Sequence, residues 1–216
     1  MRGGRVTPAQ RRAYDELFPL LRVPYSPAPI DLTGTFNRQA PTVLEVGFGM
    51  GEATAAIAAQ RPDVNFLAVE VIVAGIGALA RRATDLRLGN IRIVGHDAVE
   101  VVRDMIAPAT LFGAHVFFPD PWPKARHHKR RLIAPFFAGL LASRIATGGY
   151  LHCATDWENY AQQMLAVLDN EPKLRNAHAA YAPAPVNPLV KRPATRFHAR
   201  GAELGHGVWD LVFIRR

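Results

Sequence analysis

The stretch PDPWPKARHHKRR, residues 119–131, decides how the rest of the chain is read. It follows the run Ala114-His115-Val116-Phe117-Phe118, which reads as a buried strand. Pro119, Pro121 and Pro123 fix φ and remove ladder donors, so the strand stops and continues as a stiff, extended loop. Asp120 is pinned inside that loop. Lys124, Arg126, Lys129, Arg130 and Arg131 follow with no acidic residue among them, and His127 and His128 sit between. One rigid carboxylate at a strand's C-terminal end, beside a dense positive cluster, suits chemistry on a polyanion. Open α/β sheets bind ligands at that end. The plainer alternative is a proline-stopped strand followed by a solvated basic helix start, because charge runs are usually surface.

The rest of the chain supplies a sheet for this strand. Residues 43–46 form a first strand, and Gly47, Gly49 and Gly51 allow a tight turn with close backbone approach to a ligand. A helix then runs over 52–60. The dinucleotide fingerprint wants its third glycine one place later, where Glu52 stands. Glu45 would also oppose a pyrophosphate, yet it favours a sulfonium or an ammonium. Residues 64–70 are the second strand, ending in Glu70, an acid placed to bond ribose hydroxyls. A packing helix follows over 74–86, and residues 90–94 are the third strand. Asp97 then either caps a helix or faces a ligand. Residues 111–118 are the fourth strand. The next helix is expected to begin at Arg130 or Arg131, with Leu132, Ile133, Phe136, Phe137, Leu140, Leu141 and Ile145 in its buried stripe, and to be closed by Thr147-Gly148-Gly149. Residues 150–155 form a fifth strand, 158–168 a helix that Asp156 could cap, and 171–193 a proline-rich irregular crossing. The final run, with Trp209, Leu211 and Phe213 on one face, reads as a strand.

Alternation of strand and helix predicts an α/β fold with a mostly parallel open sheet, helices on both faces and an antiparallel last strand. Residues 41–216 form the main domain. Residues 1–40 are basic and proline-rich; Thr7 and Pro8 begin a short helix. That segment is either a flexible leader or an arm contacting RNA through Arg2, Arg5, Arg11 and Arg12.

The chain has 216 residues, 49% of them hydrophobic, with a formal net charge of +8 and a pI near 10.2. This balance fits a phosphate-bearing partner. Cys153 is the single cysteine, so an internal disulfide and a cysteine metal site are excluded. His127 and His128 are adjacent and lack a partner at ligand spacing, which argues against metal. No apolar run has membrane-spanning length and no secretory leader is visible, so the chain reads as cytoplasmic, without a membrane partner or an evident obligate protein partner.

Several motifs together resemble the bacterial tRNA (guanine-N7)-methyltransferases, the TrmB family. They are Phe117-Phe-Pro-Asp-Pro-Trp-Pro-Lys124, Arg126-His-His-Lys-Arg-Arg131, Glu45-x-Gly-x-Gly-x-Gly51, Thr155-Asp-Trp-Glu158 and Gly205-His-Gly-Val-Trp-Asp210. The similarity covers nearly the whole chain. It implies a Rossmann-like class I fold and S-adenosyl-L-methionine as methyl donor. Donor-binding residues are then Glu45, Gly47, Gly49, Glu70 at the ribose, Asp97 and Ala98 at the adenine, and Asp120. The implied substrate is tRNA, methylated at N7 of a variable-loop guanine. Asp120 is the implied catalytic residue. Lys124, Asp156, Thr195, Arg196, Phe197 and His198 would bind substrate, and Arg126, His127, His128, Lys129, Arg130 and Arg131 would contact RNA. Three positions depart from the family. Ile72 stands where a histidine is common, Arg196 replaces a lysine and keeps its charge, and His198 replaces a glutamate and does not. The rival readings are a methyltransferase for a small molecule or protein, which needs no basic cluster, a methyltransferase for another RNA, and a non-catalytic RNA-binding module, which needs no methyl donor.

Overall fold

The computed structural model describes residues 6–183 and 207–216. The chain divides into two compact units, Met1–Ala107 and Pro108–Arg216.

In the first unit, helix α1 (Pro8–Glu16) starts with a capping box. Thr7 Oγ1 accepts the N–H of Gln10 at 3.2 Å, and the Gln10 side chain accepts the N–H of Thr7 at 2.9 Å. Two short helices, α2 (Phe18–Leu21) and α3 (Leu32–Phe36), follow. Within the stretch read as an arm, Ala13, Phe18, Val23 and Phe36 are buried. Three parallel strands, β1 (Thr42–Val46), β2 (Asn65–Val69) and β3 (Ile91–Val94), lie in the order β3-β2-β1, with Leu44 opposite Leu67 and Ala68 opposite Ile93. Every residue of β1 and β2 is buried, as expected of strands covered on both faces. Helix α4 (Glu52–Gln60) joins β1 to β2 and α5 (Val73–Asp85) joins β2 to β3. Helix α1 packs on α5, and the Val23 N–H donates to Ile93 O at 2.8 Å. The unit ends in a single turn, α6 (Ala98–Glu100), and a π-helical turn, Val101–Met105.

The second unit contains β4 (Leu111–Phe117), α7 (Pro135–Arg144), β5 (Ile145–Thr155), α8 (Glu158–Asp169), β6 (Leu174–Asn176) and β7 (Trp209–Arg215). Its strands lie in the order β4-β5-β7-β6. Strands β4 and β5 are parallel, while β7 is antiparallel to both its neighbours, as the sequence suggested for the last strand.

Three local expectations are corrected. No helix begins at Arg130 or Arg131: Ala125–Arg130 is a 3₁₀ segment, and α7 starts only at Pro135, whose ring suits a first helical position. The Thr147-Gly148-Gly149 stretch does not close a helix but lies within β5. There β4 advances from Leu111 to Gly113 while β5 advances from Ile145 to Tyr150, and Gly148 at φ 81° carries the extra residues. The crossing after α8 is not wholly irregular, because Leu174–Asn176 pairs with β7 as an edge strand.

Candidate active site

The first unit gathers acids and glycines at the C-terminal ends of its strands. Glu45, in β1, is only 2% exposed. Its Oε2 has no hydrogen-bond partner, and burial pushes its carboxyl up to about 7, with the Thr54 hydroxyl acting weakly the other way. Beyond β1 the chain turns through Gly47 at φ 71° and Gly49 at φ 56°, and a Cβ at either position would meet nothing within 4 Å. Open space beside a bare backbone is what a ligand lying on the turn requires.

Glu70 follows β2 and is nearly buried. Its Oε2 accepts the N–H of Gly49 at 3.1 Å, and its Oε1 accepts those of Val71 at 2.8 Å and Ile72 at 3.1 Å. One carboxylate therefore ties the glycine turn to the entry of α5. The Gly47 N–H donates to Val69 O at 2.8 Å and the Glu70 N–H to Val94 O at 3.2 Å, which aligns the three strand ends. Asp97 caps α6: its Oδ1 accepts the N–H groups of Val99 at 2.9 Å and Glu100 at 3.2 Å. Asp97 is exposed and Ala98 half-buried. The structure thus brings Glu45, Gly47, Gly49 and Glu70 together and sets Asp97 and Ala98 after the adjoining strand. A buried acid with an unpartnered oxygen, two residues before an open turn, fits a cationic ligand such as one bearing an ammonium and a sulfonium.

What holds the Asp97 turn carries little mark in the sequence. Tyr25 stacks on His96 with ring centroids 3.8 Å apart, donates to Asp104 Oδ2 at 2.7 Å, and His96 Nε2 lies 2.6 Å from Glu100 Oε2. The two Tyr25 contacts link residues distant in sequence, so no local pattern could show them, whereas His96 and Glu100 are only four residues apart.

In the second unit, the Phe118 N–H donates to Ala154 O at 2.7 Å, so the ends of β4 and β5 lie side by side and bring the loops of Asp120 and Asp156 together. Phe118 at φ 50° and Trp122 at φ 44° bracket the proline loop, a conformation that bulky residues adopt only when their surroundings enforce it. Asp120 is exposed, and its Oδ1 accepts the N–H of Trp122 at 3.1 Å. Asp156 does not cap α8: Trp157 holds the cap position, with no side-chain cap bond.

Lys124, Arg126, Lys129 and Arg130 are exposed, and His127 and His128 are half-buried. The Arg130 guanidinium lies 5.0 Å from the centroid of the Trp122 ring, whose edge meets His127 at 5.7 Å. Arg131 departs from the expected RNA-contacting set. It is 3% exposed, and its donors go to Pro121 O, Gln163 and Asn159. The sequence run could not separate it from its neighbours, because its partners lie on α8. Thr195, Arg196, Phe197 and His198 lie outside the described residues. Among the described residues no three His, Cys, Asp or Glu side chains cluster as a metal ion requires. Cys153 is buried, and burial pushes its thiol up, away from nucleophilic use.

A family model described as "Putative methyltransferase" matches residues 39–211. A tRNA (guanine-N(7)-)-methyltransferase of Bordetella parapertussis is 61% identical over 214 residues, spanning 99% of this chain and 83% of that protein. The protein of the same name from Paraburkholderia xenovorans is 59% identical over 215 residues, spanning 100% of this chain and 81% of that protein. Among solved structures, the 16S rRNA methyltransferase KamB aligns with a TM-score of 0.59 at 16% identity, covering 83% of this chain and 90% of that one. That last likeness concerns the fold.

Proposed function

The chain belongs to the bacterial tRNA (guanine-N7)-methyltransferases, the TrmB family, and on that premise we propose that it methylates N7 of a variable-loop guanine in tRNA. The observation that carries this reading is the buried Glu45, with its unpartnered Oε2, two residues before the open Gly47–Gly49 turn. S-Adenosylmethionine, when bound, supplies an electrophilic methyl group on a sulfonium. Glu45 offsets the cofactor's positive charge. Gly47 and Gly49 admit it against the backbone, while Glu70 holds their turn and keeps lone-pair capacity for the ribose. Asp97 and Ala98 border the adenine.

N7 of guanine carries an in-plane lone pair and no proton, so the chain needs no general base at that atom. The donor, held by Glu45, Gly47, Gly49 and Glu70, would give its methyl to that lone pair with the sulfur leaving neutral, and the methylated base would carry the positive charge. The protein's task is alignment, which can supply roughly 7–11 kcal/mol, together with a fixed negative group near the developing cation. Asp120, pinned by three prolines and by the Trp122 N–H, serves as that group and accepts from the guanine N1–H and amino group. Asp156 and Lys124 help to hold the base. Arg126, His127, His128, Lys129 and Arg130 hold phosphates, and the remaining contacts come from Thr195, Arg196, Phe197 and His198. Among the described residues no helix is long and apolar enough to cross a membrane, and we place the enzyme with tRNA in the cytoplasm.

The test is incubation with unmodified tRNA and the methyl donor, followed by nucleoside mass mapping. 7-Methylguanosine in the variable loop is expected, and Asp120→Ala should fold but lose most turnover. Methylation of a different RNA, or of a small molecule with full activity at high salt, would replace this reading. Wild-type rates in the variant would remove Asp120 from the mechanism.

A further inference from the structure

We infer that Arg131 is a positioning residue that holds the Asp120 loop to α8, rather than one of the RNA-binding cations. The inference rests on the methyltransferase reading above. Arg131 Nε donates to the Pro121 carbonyl at 2.8 Å, one residue from Asp120. Its two terminal nitrogens donate to Gln163 Oε1 at 2.5 Å and Asn159 Oδ1 at 2.9 Å, one turn apart on α8. The guanidinium lies 4.7 Å from the centroid of the Tyr160 ring, and the hydroxyl of that same tyrosine accepts the Ile133 N–H at 3.0 Å. Residues 131–133 are therefore fixed to α8 at two points, and the guanidinium bridges helix and loop.

Three features separate this arrangement from a phosphate contact. The side chain is covered, so a phosphate has no access to it. All of its hydrogen-bond acceptors are neutral oxygens, so the group is held by geometry and not by an ion pair. Its planar fork serves three acceptors at once, which a lysine ammonium cannot reproduce in the same plane. The loop needs such an anchor, because Trp122 sits at positive φ and Pro119, Pro121 and Pro123 have no N–H to donate. Misplacing a reacting group by about 1 Å costs on the order of a hundredfold in rate.

The experiment compares Arg131→Lys and Arg131→Met with Arg130→Gln in steady-state kinetics, donor affinity, thermal melting and the salt dependence of tRNA binding. Arg131→Met leaves the Pro121, Gln163 and Asn159 oxygens without their donor and should lower the melting temperature, whereas Arg131→Lys keeps the charge and part of the donation and is the milder variant. Both Arg131 variants should lower kcat by about tenfold to a hundredfold, with donor affinity and the slope of log affinity against log salt unchanged. Arg130→Gln should reduce that slope by roughly one phosphate contact. Gln163→Leu should lower kcat in the same way and be non-additive with Arg131→Lys. If the slope falls in the Arg131 variants while kcat at saturation holds, Arg131 is a phosphate ligand and the inference is wrong. Loss of kcat only in proportion to lost melting temperature, across all these variants, would reduce it to a structural residue. A wild-type enzyme that methylates no tRNA overturns the functional reading and this inference together.

Discussion

Glu70 Oε2 accepts the backbone N–H of Gly49 at 3.1 Å, so the acid that ends β2 braces the turn that ends β1. With Val71 and Ile72 donating to the other oxygen, the carboxylate holds three backbone groups. Glu70→Gln keeps one acceptor and turns the other into a donor facing an N–H. Hydrogen bonds to a charged acceptor contribute about 1.5–3 kcal/mol each, so donor affinity should fall at least tenfold in Glu70→Gln and further in Glu70→Ala. Titration calorimetry with S-adenosylmethionine checks this. Unchanged affinity in both variants would mean that the turn holds itself.

Two glycines of α5 make a paired prediction. A Cβ at Gly75 would lie 2.2 Å from Gly49 O, and a Cβ at Gly77 would lie 2.2 Å from Gln10 O. Both contacts are with backbone, which cannot swing away, and overpacking of this kind costs about 1–3 kcal/mol. Gly75→Ala should displace the glycine turn and weaken donor binding. Gly77→Ala should instead push α1 off α5, lowering the melting temperature while sparing donor affinity. The split is read from melting curves and calorimetry on the same two proteins. Equal loss of affinity in both would show that α1 also supports the turn.

The order of elements was legible in the sequence because its signals are local. Apolar runs marked β1, β2 and β4, Thr7-Pro8 marked the start of α1, and glycines marked the turn after β1. Glu45, Gly49 and Glu70 could be placed because the chain puts them at strand ends. What was not legible depends on partners from elsewhere in the chain. Arg131 reads like Arg130 until Asn159 and Gln163 on α8 are seen to face it. His115 sits in a run that reads as apolar, and its contact with the Tyr150 hydroxyl exists only after β4 pairs with β5. The glycines at 148 and 149 signal a turn, and only the register between those strands shows that the turn lies inside one of them.

Glu45 should couple donor binding to protons. Its ordinary value is 4.5, and burial raises it to about 7. A raised carboxyl contributes stability that is fully present below 4.5 and is lost as pH climbs through about 7, where the group must ionise in the core. A cationic ligand reverses this preference, so donor binding near pH 6 should expel a proton, and affinity should rise with pH by at most about tenfold per unit until the carboxyl is ionised. Calorimetry in buffers of different ionisation enthalpy measures the proton directly. Glu45→Gln should bind the donor more weakly, release no proton and melt higher than wild type at about pH 8. An identical proton count in wild type and variant would assign the coupling elsewhere.

The core of the second unit should be acid-sensitive through His115. Its ring is fully buried, with Nε2 2.9 Å from the Tyr150 hydroxyl, Nδ1 without a hydrogen-bond partner and the His152 ring 6.1 Å away. Burial first, and the neighbouring His152 second, hold it well below the usual histidine value of 6.5. The folded chain therefore keeps His115 neutral while the unfolded chain takes up a proton. The sign follows: this contribution to stability is complete above 6.5 and falls as pH drops below it, by up to about 1.4 kcal/mol per pH unit for one proton. Denaturant unfolding at pH 7.5, 6.0 and 5.0 (values of about this spacing suffice) should show that decline. His115→Gln cannot take the proton, so its stability should decline less steeply by one proton, whatever its absolute level. Parallel pH curves for wild type and variant would show that His115 does not set the acid limit and would shift attention to the His152–Asp210 pair, whose Nε2 and Oδ1 are 2.8 Å apart.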